Sequence, residues 1–298
     1  MAIKPPADGL LPTTLADALR SAAALGLDRL DAQWLLLHAL GRGAADRAWL
    51  VGHERDPLPA HQMPQLAQAL RLFARRANGE PLAYLVGHQA FFGLDLMVDA
   101  RVLIPRADTE VLVQWALDLL PGLPAPPAVL DLGTGSGAVA LAIQKNYPQA
   151  LVTALDASPD ALAVAQTNAQ RLGVPVAFLR SDWMDQVSAE FHLITANPPY
   201  IAEGDAHLAA LCCEPAQALV AGADGLDDLR RIAQQAPAHL HTGGWLLLEH
   251  GFDQAAAVVS LLAQHGFTQV QSRRDLAGHQ RCTGGQWRPL GSPVATVK

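Results

Sequence analysis

The chain has 298 residues, half of them hydrophobic, and a formal net charge of −7 at neutral pH. This composition is typical of a folded globular protein and excludes a disordered chain. The negative charge lies after residue 80, where twenty Asp and Glu outnumber twelve Lys and Arg. Because nucleic-acid binding depends on cationic side chains, this balance argues against DNA binding.

Other classes are disfavoured by patterns that the sequence lacks. Its three cysteines form no Cys-x-x-Cys pair, so we expect reduced thiols and no disulfide framework. The eleven histidines show no metal-ligand spacing, so no metal site is expected. No apolar run approaches the length of about eighteen residues that a membrane helix requires. We therefore expect a cytoplasmic monomer without a membrane span.

The first part of the chain, residues 12–80, repeats apolar residues at helical spacing and predicts a bundle of four or five short helices. Thr14 is placed to cap the first helix, and Asn78-Gly79 marks the end of the last one. Residues 90–98 change to an extended pattern, which predicts a β-hairpin. The hairpin would link the helical bundle to a second domain.

From Arg106 onward, strands alternate with helices, which predicts an α/β fold with a doubly wound parallel sheet. The predicted domains are therefore residues 1–83, 84–105 and 106–298. Strands are expected at Val129–Leu132, Leu151–Asp156, Val176–Leu179, Phe191–Ala196 and Trp245–Glu249, with an antiparallel pair at Phe267–Ser272 and Gln280–Trp287. Helices are expected at Thr109–Leu120, Ala138–Asn146, Pro159–Arg171, Leu226–Leu240 and Asp253–His265.

A glycine-rich segment at residues 131–137 ends the first strand of this sheet and opens the next helix. Glycines there let a ligand approach the backbone, where the N–H groups of the helix terminus face it. The segment can also be read as a Gly-x-Gly-x-x-Ala dinucleotide fingerprint. The candidate cofactor-binding residues of this turn are Gly133, Thr134, Gly135, Ser136 and Gly137.

The ends of the next two strands carry further candidates for a nucleotide site. Asp156 is placed to accept the ribose hydroxyls of either a nicotinamide dinucleotide or S-adenosylmethionine. The alternative for Asp156 is an acid that only favours the N-terminus of the next helix. Asp182 and Trp183 suit an adenine, the acid accepting from its amine and the ring packing on its face. The alternative for Trp183 is a surface ring that covers an apolar groove.

Asn197-Pro198-Pro199-Tyr200 is the most informative segment of the chain. It follows a predicted strand, and its prolines form a stiff turn where open α/β sheets bind ligands. Asn197 offers one acceptor and one donor group at nearly fixed positions, and Tyr200 adds a flat wall. Such a pocket suits a planar NH2 group, which a nicotinamide site does not need. The tetrapeptide therefore favours S-adenosylmethionine as the cofactor, although a turn that only ends the strand remains the alternative.

These motifs together resemble the peptide-chain release factor glutamine methyltransferases. The matching segments are Gly79–Leu85, Leu103–Glu110, Asp131–Gly137, Ser181–Trp183, Asn197–Ile201, Glu214-Pro215 and Leu247–Gly251. The resemblance implies a seven-stranded, Rossmann-like methyltransferase sheet, preceded by a helical domain that selects the substrate. It also implies methyl transfer from S-adenosylmethionine to the N5 amide nitrogen of the Gly-Gly-Gln glutamine in class-1 release factors.

The resemblance further assigns the tetrapeptide to the substrate. Asn197 and Pro198 would accept hydrogen bonds from the substrate NH2 through their side-chain and main-chain oxygens. Pro199 and Tyr200 would complete the substrate site, and Asn197 would also contact the cofactor. The expected catalytic residues are therefore Asn197, Pro198 and Tyr200.

Three other functions remain open from the sequence: a methyltransferase acting on the amine of a nucleic-acid base, a nicotinamide oxidoreductase and a non-catalytic binding module. The chain also contains its own Gly-Gly-Gln tripeptide within Thr283–Gln286. We interpret that tripeptide as a coincidental turn between the last two strands.

Overall fold

The computed structural model describes residues 12–289, and the chain divides into two compact units between Gly87 and His88. The domain limits expected at residues 83 and 105 stay predictions. Within residues 12–87 the structure contains five α-helices, as the apolar spacing predicted. They are α1 (Leu15–Ala24), α2 (Arg29–Ala39), α3 (Arg47–Gly52), α4 (Met63–Ala77) and α5 (Leu82–Val86).

The first unit is held together by a core of leucines with a central aromatic ring. Leu35, Leu36 and Phe73 are fully buried there. Thr14 caps α1 as predicted, because its hydroxyl accepts the Asp17 N–H at 3.1 Å and the Asp17 carboxylate accepts the Thr14 N–H at 3.0 Å. Such reciprocal capping fixes where the helix begins.

The second unit begins with the predicted hairpin, formed by β1 (His88–Phe91) and β2 (Leu94–Met97). Its two-residue turn has positive φ at Phe92 and Gly93, which matches the twist of the strands. The Asn168 side chain accepts the Met97 N–H at 2.7 Å and donates to its carbonyl at 2.9 Å. The hairpin is therefore bound to a helix of the second unit.

The centre of the second unit is a seven-stranded sheet with the order β5-β4-β3-β6-β7-β9-β8. Neighbouring strands from β5 to β7 are parallel, and β9 is antiparallel to both β7 and β8. The predicted doubly wound sheet with an antiparallel terminal pair is confirmed. The strands are β3 (Ala128–Leu132), β4 (Leu151–Asp156), β5 (Ala177–Arg180), β6 (Phe191–Ala196), β7 (Leu240–Glu249), β8 (Phe267–Arg274) and β9 (Gln280–Trp287).

Five α-helices in residues 88–289 cover this sheet. They are α6 (Glu110–Leu119), α7 (Ala138–Asn146), α8 (Pro159–Leu172), α9 (Asp227–Gln235) and α10 (Ala255–Gln264). None of the helices in residues 12–289 is long and apolar enough to cross a membrane. The cytoplasmic location and the monomeric state stay predictions.

Two predicted boundaries around β7 are wrong. The helix expected at Leu226–Leu240 ends at Gln235, because Pro237 cannot continue an α-helix and the chain tightens into a 3₁₀ turn at Ala236–His239. The strand expected from Trp245 begins earlier, at Leu240. Glycines 243 and 244 disfavour a strand in the sequence, yet here they lie beside an irregularity in its pairing with β6.

The Gly-Gly-Gln tripeptide lies inside β9 and not in the turn that was expected. A Cβ atom on Gly284 would stand 2.4 Å from the Leu247 side chain, so the glycine is required by packing between β7 and β9. Gln286 donates from Nε2 to the Gly243 carbonyl at 2.8 Å. The tripeptide is therefore a structural part of the sheet, in keeping with its interpretation as a coincidence.

The sheet topology decides where ligands can bind. The chain passes from β3 to β4 on one side of the β3–β6 pair and from β6 to β7 on the other side, so the strand order reverses between β3 and β6. In open α/β sheets the crevice at the carboxyl ends of the strands beside this reversal is the ligand site. The glycine turn, Asp156 and the Asn-Pro-Pro-Tyr segment all follow strands at this edge.

Candidate active site

A cavity of about 520 Å³ opens at the carboxyl edge of the sheet. It is lined by residues that follow β3, β4, β5 and β6, so the four sequence motifs meet at one place. The predicted residues in its wall are Gly133, Gly135, Asp156, Asp182, Trp183, Asn197 and Pro199. The volume lies within the range of small-molecule sites, about 300–1,000 Å³.

The glycine turn after β3 forms the floor of this cavity through Gly133 and Gly135. Both have positive φ, at 61° and 56°, which only glycine adopts without strain. The space beside the Cα of Gly135 is open, so a ligand can approach the backbone there. Gly137 has another role, because a Cβ atom would come within 3.2 Å of Ala165 on α8.

Two predicted cofactor residues support the turn from behind the cavity wall. The buried Thr134 hydroxyl donates to Asp131 Oδ2 at 2.6 Å, and Asp131 Oδ1 accepts from Thr195 at 2.9 Å. Burial raises the pKa of Asp131 to about 6 against the effect of these hydrogen bonds. Ser136 is also buried, and its carbonyl accepts from Asn168 at 2.9 Å. The structure therefore indicates scaffolding roles for Thr134 and Ser136.

Asp156 joins the glycine turn to the start of α8. Its Oδ2 accepts the Gly135 N–H and its Oδ1 accepts the Ser158 N–H, both at 2.9 Å. Burial raises the pKa of Asp156, and the backbone donors oppose that effect. A carboxylate has about four acceptor positions, so Asp156 retains capacity to accept hydrogen bonds from a ligand in the cavity.

Trp183 forms a flat wall of the cavity next to Gly133. Its ring lies close enough that a Cβ on Gly133 would stand 3.4 Å from it. The indole N–H donates to Asp228 Oδ1 at 3.0 Å, which fixes the orientation of the ring. Asp228, at the start of α9, also lines the cavity, and the sequence analysis assigned it no role. Burial raises the pKa of its carboxyl.

Asp182 lines the same cavity but is already paired. Both of its oxygens accept from Arg231 Nη1 at 2.9 Å, and its side chain is 60% exposed. The predicted contact of Asp182 with an adenine amine would use the remaining lone pairs of this carboxylate. Arg231 therefore competes with an adenine amine for the Asp182 carboxylate.

The Asn-Pro-Pro-Tyr segment lies between two cavities. Asn197 lines both the large cavity and a second one of about 180 Å³. The smaller cavity is enclosed mainly by apolar side chains, and its polar residues are Arg106, Asn197 and Tyr200. Its wall is formed by Leu103, Arg106, Asn197, Pro198, Tyr200, Ile201, Leu211, Ala218 and Leu219. Asn197 can therefore contact ligands on both sides.

Below the tetrapeptide lies a buried polar group that the sequence analysis did not identify. Asn197 Nδ2 donates to the Thr109 hydroxyl at 3.1 Å. The hydroxyls of Thr109 and Tyr200 both face the carboxyl of Glu249 at the end of β7, and hydrogen bonding from them lowers its pKa. Burial has the larger effect and raises the pKa of Glu249 to about 7.

Glu214 holds the loop that closes the smaller cavity. Its buried carboxylate accepts the Ile104 N–H at 3.1 Å and also pairs with the Arg106 guanidinium. Two segments far apart in sequence, around residues 104 and 214, are thereby fixed at the site. Both segments match the family motifs, but their contact was not predicted from the sequence, because only the folded topology brings them together.

The comparisons with known proteins agree with this geometry. Residues 116–265 match the family described as Methyltransferase small domain. Residues 13–87 match the family described as PrmC N-terminal domain, which covers the first structural unit.

Similar proteins and structures point the same way. A release factor glutamine methyltransferase of Bordetella pertussis is 52% identical over 265 residues, or 87% of this chain and 95% of that protein. One of Burkholderia pseudomallei is 47% identical over 285 residues, or 92% and 96%. The Thermus thermophilus 16S rRNA N2 G1207 methyltransferase, solved with AdoMet and guanosine, matches with a TM-score of 0.50 at 20% identity. That match covers 67% of this chain and 50% of the other, and shows the fold alone.

The curated relatives are similar along almost their whole length, and the alignment includes both structural units of the chain. Their shared name agrees with the resemblance that the motifs indicated. The chain belongs to the family of release factor glutamine methyltransferases.

Proposed function

We propose that this methyltransferase transfers a methyl group from S-adenosylmethionine to the side-chain amide nitrogen of the Gly-Gly-Gln glutamine in class-1 release factors. The observation that carries the proposal is the position of Asn197 in the wall shared by two cavities. The larger cavity has the size of a cofactor site and the smaller one has the size of a side-chain pocket.

The residues of the larger cavity fit S-adenosylmethionine. Asp156 keeps acceptor positions for two ribose hydroxyls, and the Trp183 ring provides a surface for a planar base. The open backbone at Gly135 admits a ligand without a side-chain clash. When it is bound, S-adenosylmethionine supplies an electrophilic methyl group on a sulfonium.

In the smaller cavity, the chain orients the substrate amide. The Asn197 amide gives its N–H to Thr109, so its Oδ1 is left to accept from the substrate NH2. The Pro198 carbonyl would provide the second acceptor, and the two prolines hold the acceptors at a fixed spacing. These oxygens direct the nitrogen toward the methyl group and stabilise the positive charge that develops on it.

This chemistry does not require a strong base before methyl transfer. An amide nitrogen is a weak nucleophile, and its proton leaves easily once the nitrogen has become cationic. The described wall of the smaller cavity contains no carboxylate or imidazole. Burial raises the pKa of Tyr200, so its hydroxyl stays protonated. Positioning therefore supplies most of the rate in this mechanism.

The other functions that the sequence left open have less support. Membership of a methyltransferase family excludes the nicotinamide oxidoreductase and disfavours the binding module. A base methyltransferase would share the tetrapeptide, but the acidic second unit and the shared name of the curated relatives favour a protein substrate.

Methyl transfer to a purified class-1 release factor, followed by peptide mass mapping, tests the proposal. We expect one added methyl group, located on the glutamine of the Gly-Gly-Gln tripeptide. A release factor with Ala in place of that glutamine is the matched control and should remain unmodified. Methylation of DNA or RNA without methylation of the release factor would overturn the proposal.

A further inference from the structure

The orientation of the Asn197 amide decides whether the proposed mechanism works. A half-turn of the amide plane exchanges Oδ1 with Nδ2 and would present a donor to the substrate NH2 instead of an acceptor. Two donors cannot form a hydrogen bond with each other. The site therefore needs a feature that holds the amide in one of its two orientations.

Thr109 occupies the position from which it can select the orientation. Its hydroxyl accepts from Asn197 Nδ2 at 3.1 Å, and the side chain is only 4% exposed. A hydroxyl has one proton to donate and can also accept. If the Thr109 hydroxyl donates its own proton to another acceptor, it can only accept a hydrogen bond from Asn197. In that case it favours the orientation in which Asn197 Nδ2 faces Thr109.

Glu249 supplies that acceptor. It lies at the end of β7, is 1% exposed, and its carboxyl faces the Thr109 hydroxyl. An ionised carboxylate accepts through both oxygens, and a neutral carboxyl still accepts through its carbonyl. The Tyr200 hydroxyl faces the same carboxyl. The Thr109 proton is thereby directed away from Asn197.

The unpaired carboxyl oxygen of Glu249 indicates that this residue has a functional role. Its Oε2 atom has no hydrogen-bond partner among residues 12–289, although it is fully buried. A buried acceptor without a partner destabilises the folded state, so the carboxyl of Glu249 is unfavourable for stability at this position. A role in orienting the Thr109 hydroxyl would explain why Glu249 occupies this buried position.

We propose that Thr109 and Glu249 are positioning residues that fix the Asn197 amide with its oxygen toward the methyl acceptor. The inference rests on the proposed function and deepens it, because it explains how a symmetrically shaped amide presents only an acceptor. Neither residue lines the two cavities, so both act through Asn197 and not by contact with the ligand.

Thr109→Val is the first test, because valine keeps the shape of threonine and removes the hydroxyl. We expect kcat for release factor methylation to fall about tenfold to a hundredfold, while the Kd for S-adenosylmethionine stays within about threefold. Thr109→Ser retains the hydroxyl and should restore most of the rate. Equal rates for the wild type and a folded Thr109→Val variant would overturn the proposal.

A double-mutant cycle with Asn197→Ala separates positioning from a general structural effect. If Thr109 acts only through Asn197, Thr109→Val should cause no further loss of rate in the Asn197→Ala background. Independent, multiplicative losses would overturn the proposal. The cycle is repeated with Thr109→Ala if Thr109→Val does not fold.

A release factor with glutamate in place of the reactive glutamine gives a readout of the amide orientation itself. Its ionised carboxylate has only acceptors, so it should compete poorly for the wild-type site. Thr109→Val frees the Asn197 amide to present its NH2, so this variant should bind that competitor more tightly. An unchanged inhibition constant would contradict the positioning role. Absence of methylation by the wild type would instead refute the proposed function.

Discussion

The Gly135 N–H donates to Asp156 Oδ2 over 2.9 Å, which joins the glycine turn after β3 to the end of β4. Two motifs that are separate in the sequence are thus parts of one cavity wall. Because the Asp156 carboxylate is half-buried and fixed by backbone donors, it can accept ligand hydroxyls without reorganising.

Removal of this carboxylate should weaken cofactor binding. Asp156→Ala removes an acceptor for two ribose hydroxyls, and each hydrogen bond to a charged group contributes about 1.5–3 kcal/mol. We expect the Kd for S-adenosylmethionine to rise at least about tenfold in isothermal titration calorimetry. Asp118→Ala, at a surface ion pair with Arg273, is the control and should leave the Kd unchanged. Unchanged binding by Asp156→Ala would refute its assignment to the ribose.

The first structural unit should select the protein substrate without taking part in the chemistry. Its helices lie in a unit separate from every residue that lines the two cavities of the site. Deletion of residues 1–87 should leave S-adenosylmethionine binding within about threefold and abolish methylation of an intact release factor. Circular dichroism and thermal melting must first show that the shortened protein folds. Methylation at the normal rate would mean that the helical unit has another role.

Glu249 should make the folded protein less stable as the pH rises. Burial raises its pKa from 4.5 to about 7, so the folded state binds the proton more tightly than the unfolded state does. The stabilisation is complete below about pH 4.5 and is lost as the pH rises through about 7. The shift corresponds to about 3 kcal/mol as an order of magnitude.

Denaturant unfolding at pH 5 and pH 7.5 measures this effect. The difference in unfolding free energy between the two pH values should shrink in Glu249→Gln, which cannot ionise. Some pH dependence of the unfolding free energy should remain in this variant, because burial also raises the pKa of Asp131, to about 6. An identical pH dependence in the wild type and Glu249→Gln would show that Glu249 is ionised freely in the folded protein.

Asn197→Asp should separate cofactor binding from catalysis. The carboxylate keeps an acceptor, but it loses the N–H that Thr109 accepts and adds a negative charge near the sulfonium. We expect the Kd for S-adenosylmethionine to stay within about tenfold while turnover is almost lost. Calorimetry and a steady-state methylation assay on the same preparation measure both. Turnover near that of the wild type would argue against a neutral amide requirement.

The sequence predicted the parts of the site that follow strands. Gly133, Asp156 and Asn197 each come directly after an apolar residue at a strand end, and in a parallel sheet the carboxyl ends of the strands meet at one edge. The parallel strands, the hairpin and the first helix cap followed from the same local patterns. Local patterning was sufficient because each of these features depends on neighbouring residues.

The sequence did not predict the contacts that support the site. Thr109, Asn197 and Glu249 are separated by many residues, and no local pattern indicates that their side chains meet. Asp228 was missed for the same reason, because its role depends on where α9 places it beside Trp183. Such long-range contacts are set by the order of the strands in the sheet. The sequence predicted the class of fold but not this order.

The rate of methyl transfer in a single turnover by Asn197→Ala tests the central claim most directly. Enzyme saturated with labelled S-adenosylmethionine is mixed with release factor, and label on the Gly-Gly-Gln glutamine is followed with time. Loss of one preorganised acceptor should cost roughly 2.7–4 kcal/mol, which lowers the rate about a hundredfold or more. Cofactor affinity should stay within about tenfold. A rate near that of the wild type would contradict the account and leave the tetrapeptide as only a stiff end to β6.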